Sequence, residues 1–397
     1  ANYSASLVPS MGCPTSDNML IGGINGLRNH LPVAIGRLAA QNLNHISIYL
    51  SKVVEYESLK QSEWMKHVLL LGGGTDKNQQ TSFRNFLLNY ANIIKDTLFG
   101  GYPHLFFKNS SSPTQISFSD SIKMLMNSGL SLITFFGHSS ASVFDFGTLP
   151  PDQYQNTNGK YPFYLAFGCV AGDIHMPPST NTSSSESFIF SNKGTIGFLA
   201  TSGPGTAIDM EMFGRYFYKN ISYYLYGQPS GKIIQMTIDS TQTGGTAFTN
   251  AICREMTLHG DPAIKIHSYP LPDYSVDNTG IYFSPSYIST NIDSFDVNII
   301  ITNLGKATRN RVPVSLRRIF SDGTNEVYHD TVPYILYKDT LSFRIPVNQI
   351  KGAGLNKFEL KVDEDNIIAE TEDFLNNNLV GANAVLLMIY SGDAIPV

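Results

Sequence analysis

Ser131-Leu-Ile-Thr-Phe-Phe-Gly-His-Ser-Ser140 is an apolar run that ends at once in glycine, histidine and two serines. A second run of the same kind, Phe163-Tyr-Leu-Ala-Phe-Gly-Cys169, ends in glycine and cysteine. Short apolar runs bounded by glycine are typical of buried strands in a parallel sheet. Because the carboxyl ends of parallel strands meet at one edge of a sheet, the sequence predicts that an imidazole and a thiol share that edge.

Predicted strands and helices alternate on both sides of these two runs. The strand candidates are residues 67–71, 104–108, 131–136, 163–167 and 195–200, and the helix candidates are 81–98, 117–127, 184–191, 207–225 and 231–239. This order predicts an α/β region over residues 61–268, with a parallel sheet flanked by helices. Residues 1–60 contain one more predicted strand (33–37) and an amphipathic helix (45–57), which we interpret as a partial N-terminal α/β subdomain.

The pattern changes at Tyr269. The proline-rich residues 269–273 predict a linker, and alternating apolar residues at 295–302 and 311–320 follow it. Turns at Asn303-Leu-Gly305 and Ser321-Asp-Gly323 bound these strands. Residues 274–397 are therefore predicted to form an all-β sandwich of immunoglobulin size.

Composition narrows the classes of function. The chain has 397 residues, 42% of them apolar, so it can bury more than one core. With 27 basic and 32 acidic residues, a net charge of −5 and no basic run, nucleic acid is not an expected partner. No apolar run approaches the roughly 20 residues that a membrane-spanning helix needs. The low share of charged residues, 15%, favours an extracellular protein.

Cys169 and His138 together suggest covalent catalysis. A lone buried cysteine or a lone half-buried histidine is more often structural. A thiolate nucleophile, however, needs a neighbouring imidazole, so the pair on one sheet edge predicts a Cys–His dyad. The backbone N–H groups of Ser139 and Cys169 are placed where they could stabilise an oxyanion. At least one of the three cysteines must be unpaired, which agrees with a reactive thiol.

Several segments, taken together, resemble the gingipain family of cysteine peptidases. They are Phe135-Phe-Gly-His-Ser-Ser140, Gly168-Cys-Val-Ala-Gly-Asp173, Glu186-Ser-Phe188 with Lys193-Gly-Thr-Ile-Gly-Phe-Leu-Ala-Thr-Ser202, and Leu258-His-Gly-Asp-Pro-Ala-Ile-Lys265. The sortase-like branch of type IX secretion fits best, on Pro32-Val-Ala-Ile-Gly-Arg37 and Val53-Val-Glu-Tyr-Glu57. The resemblance covers about residues 9 to 267. It implies a caspase-like fold, His138 as general acid/base, Cys169 as nucleophile, secretion-system partners, and a location outside the cell or at the bacterial surface, in association with the outer membrane.

The chain departs from the family pattern at two places. Family members usually have glycine directly after the histidine, whereas this chain has Ser139, which would restrict the backbone if that position needed a positive φ. In arginine-cleaving members one acidic residue orients the histidine and another marks the specificity pocket. Gly72 and Gln80 stand at those places here, and Gln79 is neutral as well. We therefore expect no arginine specificity, and we expect a backbone carbonyl to orient His138.

Other candidates have weaker support. Asp173 and Glu186 match the family pattern as supporting residues, although such carboxylates more often cap backbone N–H groups. No residues have the spacing of a zinc site, so we predict no catalytic metal and no cofactor. Asn298-Ile-Ile-Ile-Thr-Asn-Leu-Gly305 and Val362-Asp-Glu-Asp-Asn-Ile-Ile-Ala-Glu370 resemble an adhesion-related immunoglobulin-like module of bacterial surface proteins. Its acidic residues 363–365 could hold a structural Ca²⁺, but a solvated turn is the commoner arrangement.

Two functions stay open from the sequence. The first is a cysteine endopeptidase or sortase-like transpeptidase that acts on exported proteins through an acyl-enzyme. The second is a catalytically silent surface scaffold or binding protein of the secretion machinery. The presence of both His138 and Cys169 favours the enzyme, whereas Ser139 and the missing acidic residue favour the scaffold.

Overall fold

The apolar runs that end at His138 and Cys169 form neighbouring strands at the centre of one sheet. The computed structural model describes residues 8, 10–22, 31–115, 119–147, 149–174, 182–289, 291–371 and 379–387. The chain divides into two units, Ala1–Ser268 and Tyr269–Val397. Residues of the predicted 1–60 subdomain fall in the same unit as the predicted region 61–268.

The sheet of the first unit is mostly parallel. Its strands are β1 (His67–Gly72), β2 (Tyr102–Phe107), β3 (Leu132–Phe136), β4 (Phe163–Phe167), β5 (Gly197–Thr201) and β6 (Met256–Gly260). Their order is β2-β1-β3-β4-β5-β6, and all neighbours are parallel except β5 and β6. The prediction of a parallel sheet is thus confirmed for five strands and wrong for the last.

Helices cover both faces of this sheet. They are α1 (Asn18–Ile21), α2 (Leu43–Glu57), α3 (Lys77–Lys95), α4 (Ser119–Ser128), α5 (Ser184–Ile189), α6 (Ala207–Lys219), α7 (Ser230–Gln242) and α8 (Ala247–Glu255). One core lies under α3, α6 and α7, and another lies under α2, α4 and α5. Successive strand residues point to opposite faces, which is why Leu69 belongs to one core and Leu70 to the other. None of the helices described is long and apolar enough to cross a membrane.

The predicted helices are confirmed with shifted ends, but the pattern missed α8 and misplaced two strands. Residues 33–37 form no strand, and only an isolated bridge joins Arg37 to His259. From the sequence, Gly260-Asp-Pro262 is most simply a turn into the last strand of the sheet, but β6 ends at Gly260 and therefore precedes this turn. Strand β6 follows α8 without an intervening residue and runs antiparallel to β5.

The second unit contains two sheets that share one core. Its strands are β7 (Tyr274–Ser275), β8 (Ile281–Ser284), β9 (Ile288–Ser289), β10 (Ser294–Asn303), β11 (Val312–Ile319), β12 (Asn325–Val332), β13 (Lys338–Pro346), β14 (Gly354–Val362) and β15 (Leu379–Leu387). One sheet has the order β13-β10-β7 with β8 also paired to β10, and the other has the order β12-β11-β14-β15-β9. The strands predicted at 295–302 and 311–320 are confirmed as β10 and β11. Residues 271–273 of the predicted linker are hydrogen-bonded to this unit. Leu304 N donates to Asp273 O, and Lys306 N donates to Leu271 O.

A buried lysine ties α2 to the end of α5. The Nζ atom of Lys52 donates to the carbonyl oxygens of Phe188 (3.3 Å), Ile189 (2.6 Å) and Thr195 (2.8 Å). Carbonyl groups at the C-terminal end of a helix lack partners within the helix, and the lysine supplies one here. Burial lowers the pKa of Lys52 to about 7.

We expect the free energy of unfolding of the wild-type protein to rise with pH relative to the Lys52→Met variant. Between pH values of about 7 and 10.5 the unfolded chain keeps a proton on Lys52 that the native protein has lost. Stability therefore increases with pH in this window, by at most about 1.4 kcal/mol per pH unit. Urea unfolding of both proteins at several pH values measures the difference. A difference that does not change with pH would mean that Lys52 stays protonated in the native protein.

Candidate active site

Strands β3 and β4 bring His138 and Cys169 to equivalent positions on the sheet edge. Phe136 pairs with Phe167 in the parallel register, and one glycine separates each phenylalanine from His138 or Cys169. The N–H group of Gly137 donates to the carbonyl oxygen of Phe167 at 3.0 Å, which extends the ladder beyond the strands. The imidazole and the thiol therefore leave adjacent strands at the same level.

The backbone around Cys169 is held in an unusual conformation. Val170 has a φ of 53°, in the left-handed region that β-branched residues avoid. Such a conformation costs about 1–3 kcal/mol and persists only where the surroundings impose it. Here the N–H group of Val170 donates to Gly203 O at 2.9 Å. The Sγ atom of the partly buried Cys169 lies 3.9 Å from the carbonyl oxygen of Gly205.

Two backbone N–H groups at this edge have no acceptor among the residues that the structure describes. The N–H groups of Ser139 and Cys169 donate to no atom of the described residues. An unpaired donor beside a nucleophile is the feature that an oxyanion site requires. Ser139 has no positive φ, so serine meets no backbone restriction at the position where glycine was expected.

The ring of His138 is held by the side chain of Gln79. His138 Nε2 lies 2.8 Å from Gln79 Oε1, and this oxygen also accepts from the backbone N–H and the hydroxyl of Thr75, each at 3.0 Å. A backbone N–H can only donate, so the Gln79 atom that faces it must be the carbonyl oxygen. His138 Nε2 must then carry a proton, which leaves Nδ1 as the basic ring position.

The expected backbone carbonyl partner of His138 is therefore wrong. Gly72 ends β1, and Gln80 donates to the carbonyl oxygens of Gly74 (3.1 Å) and Ser110 (2.9 Å). The position at which α3 begins explains why the sequence pattern did not indicate Gln79 as the partner of His138. Asp76 caps α3 and accepts from the N–H groups of Asn78 and Gln79, so the helix begins four residues before the predicted start and Gln79 lies in its first turn.

A buried carboxylate stabilises the histidine hairpin, which is the turn of residues 138–145 that follows β3. Asp145 Oδ2 accepts from the N–H of Gly74 at 2.8 Å and lies 3.5 Å from Nζ of the buried Lys108. The N–H of Asp145 donates to the carbonyl oxygen of His138 at 2.9 Å. Asp145 thus joins the chain segments that follow β1, β2 and β3. No local pattern singled it out, because all of these partners are distant in sequence or come from a turn.

Glu186 acts as a helix cap in the structure. Its Oε2 accepts from the N–H (3.2 Å) and hydroxyl (2.8 Å) of Ser183, and the two residues form a capping box at the start of α5. Glu186 also borders a cavity of about 760 Å³, whose other lining residues include Val143, Phe144 and Phe190. Asp173 lies in the turn after Cys169, where its N–H donates to Val170 O at 3.0 Å.

The acidic stretch of the second unit is a hydrogen-bonded turn. Asp363 accepts from the N–H groups of Ile367 (3.1 Å) and Ile368 (2.7 Å), and Glu364 accepts from Ser315 (2.8 Å) and Lys361 (3.0 Å). In the part of the chain that the structure describes, no three His, Cys, Asp or Glu side chains are grouped as metal ligands.

Known proteins resemble this chain in sequence family and in fold. The model of peptidase family C25 matches residues 1–267. The crystal structure of the Arg-specific cysteine proteinase gingipain R (RgpB) is 15% identical, with a TM-score of 0.57, over 96% of this chain and 81% of that chain. A complex of the pro- and mature domains of RgpB from Porphyromonas gingivalis is 14% identical, with a TM-score of 0.55, over 96% of this chain and 82% of that chain. No curated protein sequence matches.

These similarities confirm two of the sequence-based predictions. At such low identity the solved structures show the fold alone, which is the caspase-like α/β arrangement of a sheet between helices. The family match covers about two thirds of the chain and confirms the resemblance to the gingipain family. The chain belongs to peptidase family C25 and is a cysteine peptidase.

Proposed function

We propose that Cys169 and His138 are the catalytic dyad of this peptidase. The observation that carries the proposal is their equivalent position after the paired residues Phe136 and Phe167, together with the protonated Nε2 of His138. Because Nδ1 is then the free basic position, it can accept the proton of the Cys169 thiol. A dyad of this kind draws only on protein groups and needs no cofactor.

The proposed reaction has two stages. The Cys169 thiolate attacks the carbonyl carbon of the substrate peptide bond, and the negative charge that develops on oxygen is stabilised by the N–H groups of Ser139 and Cys169. His138 then gives its proton to the departing amine, which leaves an acyl-enzyme. Attack by water gives hydrolysis, and attack by an amine gives transpeptidation, so the endopeptidase and the sortase-like transpeptidase share the first stage.

The cellular setting is also part of the proposal. The segments at 32–37 and 53–57 favour the sortase-like branch of type IX secretion, with exported proteins as substrates and secretion-system partners. We assign the protein to the outside of the cell or the bacterial surface, in association with the outer membrane. The two sheets with one core in residues 269–397 support an immunoglobulin-like module.

The thiol itself distinguishes the enzyme from a silent scaffold. We expect iodoacetamide to alkylate Cys169 near neutral pH well before Cys13 or Cys253, and we expect His138→Ala to slow this reaction. Burial raises the pKa of the Cys253 thiol to about 12, which keeps that residue unreactive. Mass spectrometry of the folded protein at several pH values gives the rates, and a Cys13→Ser background removes the exposed thiol. Slow alkylation that is equal in both proteins, with a pH midpoint of about 8.5 as for an ordinary thiol, would favour the scaffold.

Gln79 should contribute through the orientation of the His138 ring. In Gln79→Leu the Nε2 proton loses its acceptor, so we expect the alkylation rate of Cys169 to fall about 2- to 10-fold, the equivalent of one neutral hydrogen bond. Gln79→Glu keeps an acceptor oxygen and should not lower the rate. Equal rates in wild type and Gln79→Leu would show that the ring needs no partner at this position.

Substrates with Arg or Lys before the scissile bond should not be preferred. Gln79 and Gln80 are neutral and already bonded, and no carboxylate stands at either place to offset the desolvation of a guanidinium group. Cleavage profiling over a peptide library, with Cys169→Ala protein as the blank, measures the preference. A strong selection for basic residues would contradict this expectation.

A further inference from the structure

We propose that the hydroxyl group of Ser139 is a positioning group for the oxyanion site. It would hold the backbone at Cys169 so that the Cys169 N–H faces the substrate carbonyl oxygen. The inference rests on the proposed dyad and extends it to a side chain at the place where glycine is usual in the family.

Three of the four polar backbone groups around Cys169 are bonded to the protein. The carbonyl oxygen of Gly168 accepts from the hydroxyl of Thr201 at 2.8 Å. The carbonyl oxygen of Cys169 accepts from the hydroxyl of Ser139 at 2.9 Å, and the N–H of Val170 donates to Gly203 O at 2.9 Å. The fourth group, the N–H of Cys169, has no acceptor among the described residues. The bonded groups fix both peptide planes that flank Cys169, so this N–H is held in one direction.

Ser139 can impose this arrangement because its own position is fixed. It forms an antiparallel bridge with Phe144, and the neighbouring His138 accepts from the N–H of Asp145. The side chain of Ser139 packs directly over Gly168, where a Cβ atom would overlap the hydroxyl oxygen. The Ser139 hydroxyl group thereby joins the histidine hairpin to the loop that begins at Cys169. It also supports the left-handed conformation of Val170.

Two reactions of the same thiol separate positioning from activation. Alkylation by iodoacetamide forms a C–S bond as iodide leaves, and no charge develops on a carbonyl oxygen. Addition of the thiolate to a peptide aldehyde forms a C–S bond as the carbonyl electrons move onto oxygen, so it depends on the oxyanion donors. A group that only positions the Cys169 N–H affects the second reaction and not the first.

The test compares Ser139→Ala with the wild-type protein, using a peptide substrate, a peptide aldehyde of the same sequence and iodoacetamide. Alanine keeps the backbone N–H of residue 139 and removes only the hydroxyl. We expect kcat to fall and the aldehyde inhibition constant to rise about 10-fold or more, because a misaligned donor forfeits part of the roughly 100-fold effect of a lost one. KM and the alkylation rate, including its pH profile, should stay within about twofold.

Two further variants complete the experiment. Ser139→Thr keeps the hydroxyl and should bind the aldehyde more tightly than Ser139→Ala. Ser140→Ala is the matched control, since among the described residues the Ser140 hydroxyl accepts only from Ser142 N and Val143 N of its own turn. It should resemble the wild type.

The possible results distinguish the positioning role of Ser139 from the proposed Cys169–His138 dyad. Any one of three results overturns the positioning role and leaves the dyad intact. The first is an unchanged aldehyde inhibition constant in Ser139→Ala, and the second is a loss of alkylation rate equal to the loss of turnover. The third is a Ser139→Thr variant that binds the aldehyde no more tightly than Ser139→Ala. A wild-type protein that neither cleaves the peptide nor binds the aldehyde overturns the dyad itself.

Discussion

The parallel register between β3 and β4 is the constraint on which the site depends. Phe136 and Phe167 are paired, and the same number of residues leads from Phe136 to His138 as from Phe167 to Cys169. Because side chains alternate across a strand, a shift of one residue would turn every apolar side chain of β4 to the opposite face. Both faces of this strand are buried in separate cores, which keeps the register in place. The chemistry at the edge is thus specified by the packing of the interior.

Beyond the sheet edge, hydrogen bonds between loops replace the strand ladder. Gln79 holds the ring of His138, Ser139 holds the carbonyl group of Cys169, and Asp145 connects Gly74 to the histidine hairpin. Each of these bonds joins segments that follow different strands. A strained residue such as Val170 can persist only because its neighbours are fixed in this way. Loops supported by a rigid sheet are where reactive groups are usually carried.

The charged side chains Asp145 and Glu186 near the site stabilise the fold. Asp145 is paired with Lys108 and Glu186 caps a helix, and among the described residues neither carboxylate is hydrogen-bonded to the His138 ring. The partner of the ring is the neutral Gln79. A neutral acceptor selects the tautomer of the ring without adding the electrostatic stabilisation that a carboxylate would give to an imidazolium ion.

The amino-acid sequence by itself predicted most of the strands and helices, the position of His138 and Cys169 on one edge of the sheet, and the family. Those features depend on local apolar periodicity and on short motifs, both of which can be read along the chain. The tertiary structure alone decided the antiparallel direction of β6, the pairing of Gln79 with His138, the support from Asp145 and the bond from Ser139 to Cys169. Each of these depends on where a helix begins or on contacts between residues distant in sequence. Such contacts leave no periodic signal, because hydrogen bonding between side chains is set by the angles and distances at which packed segments meet.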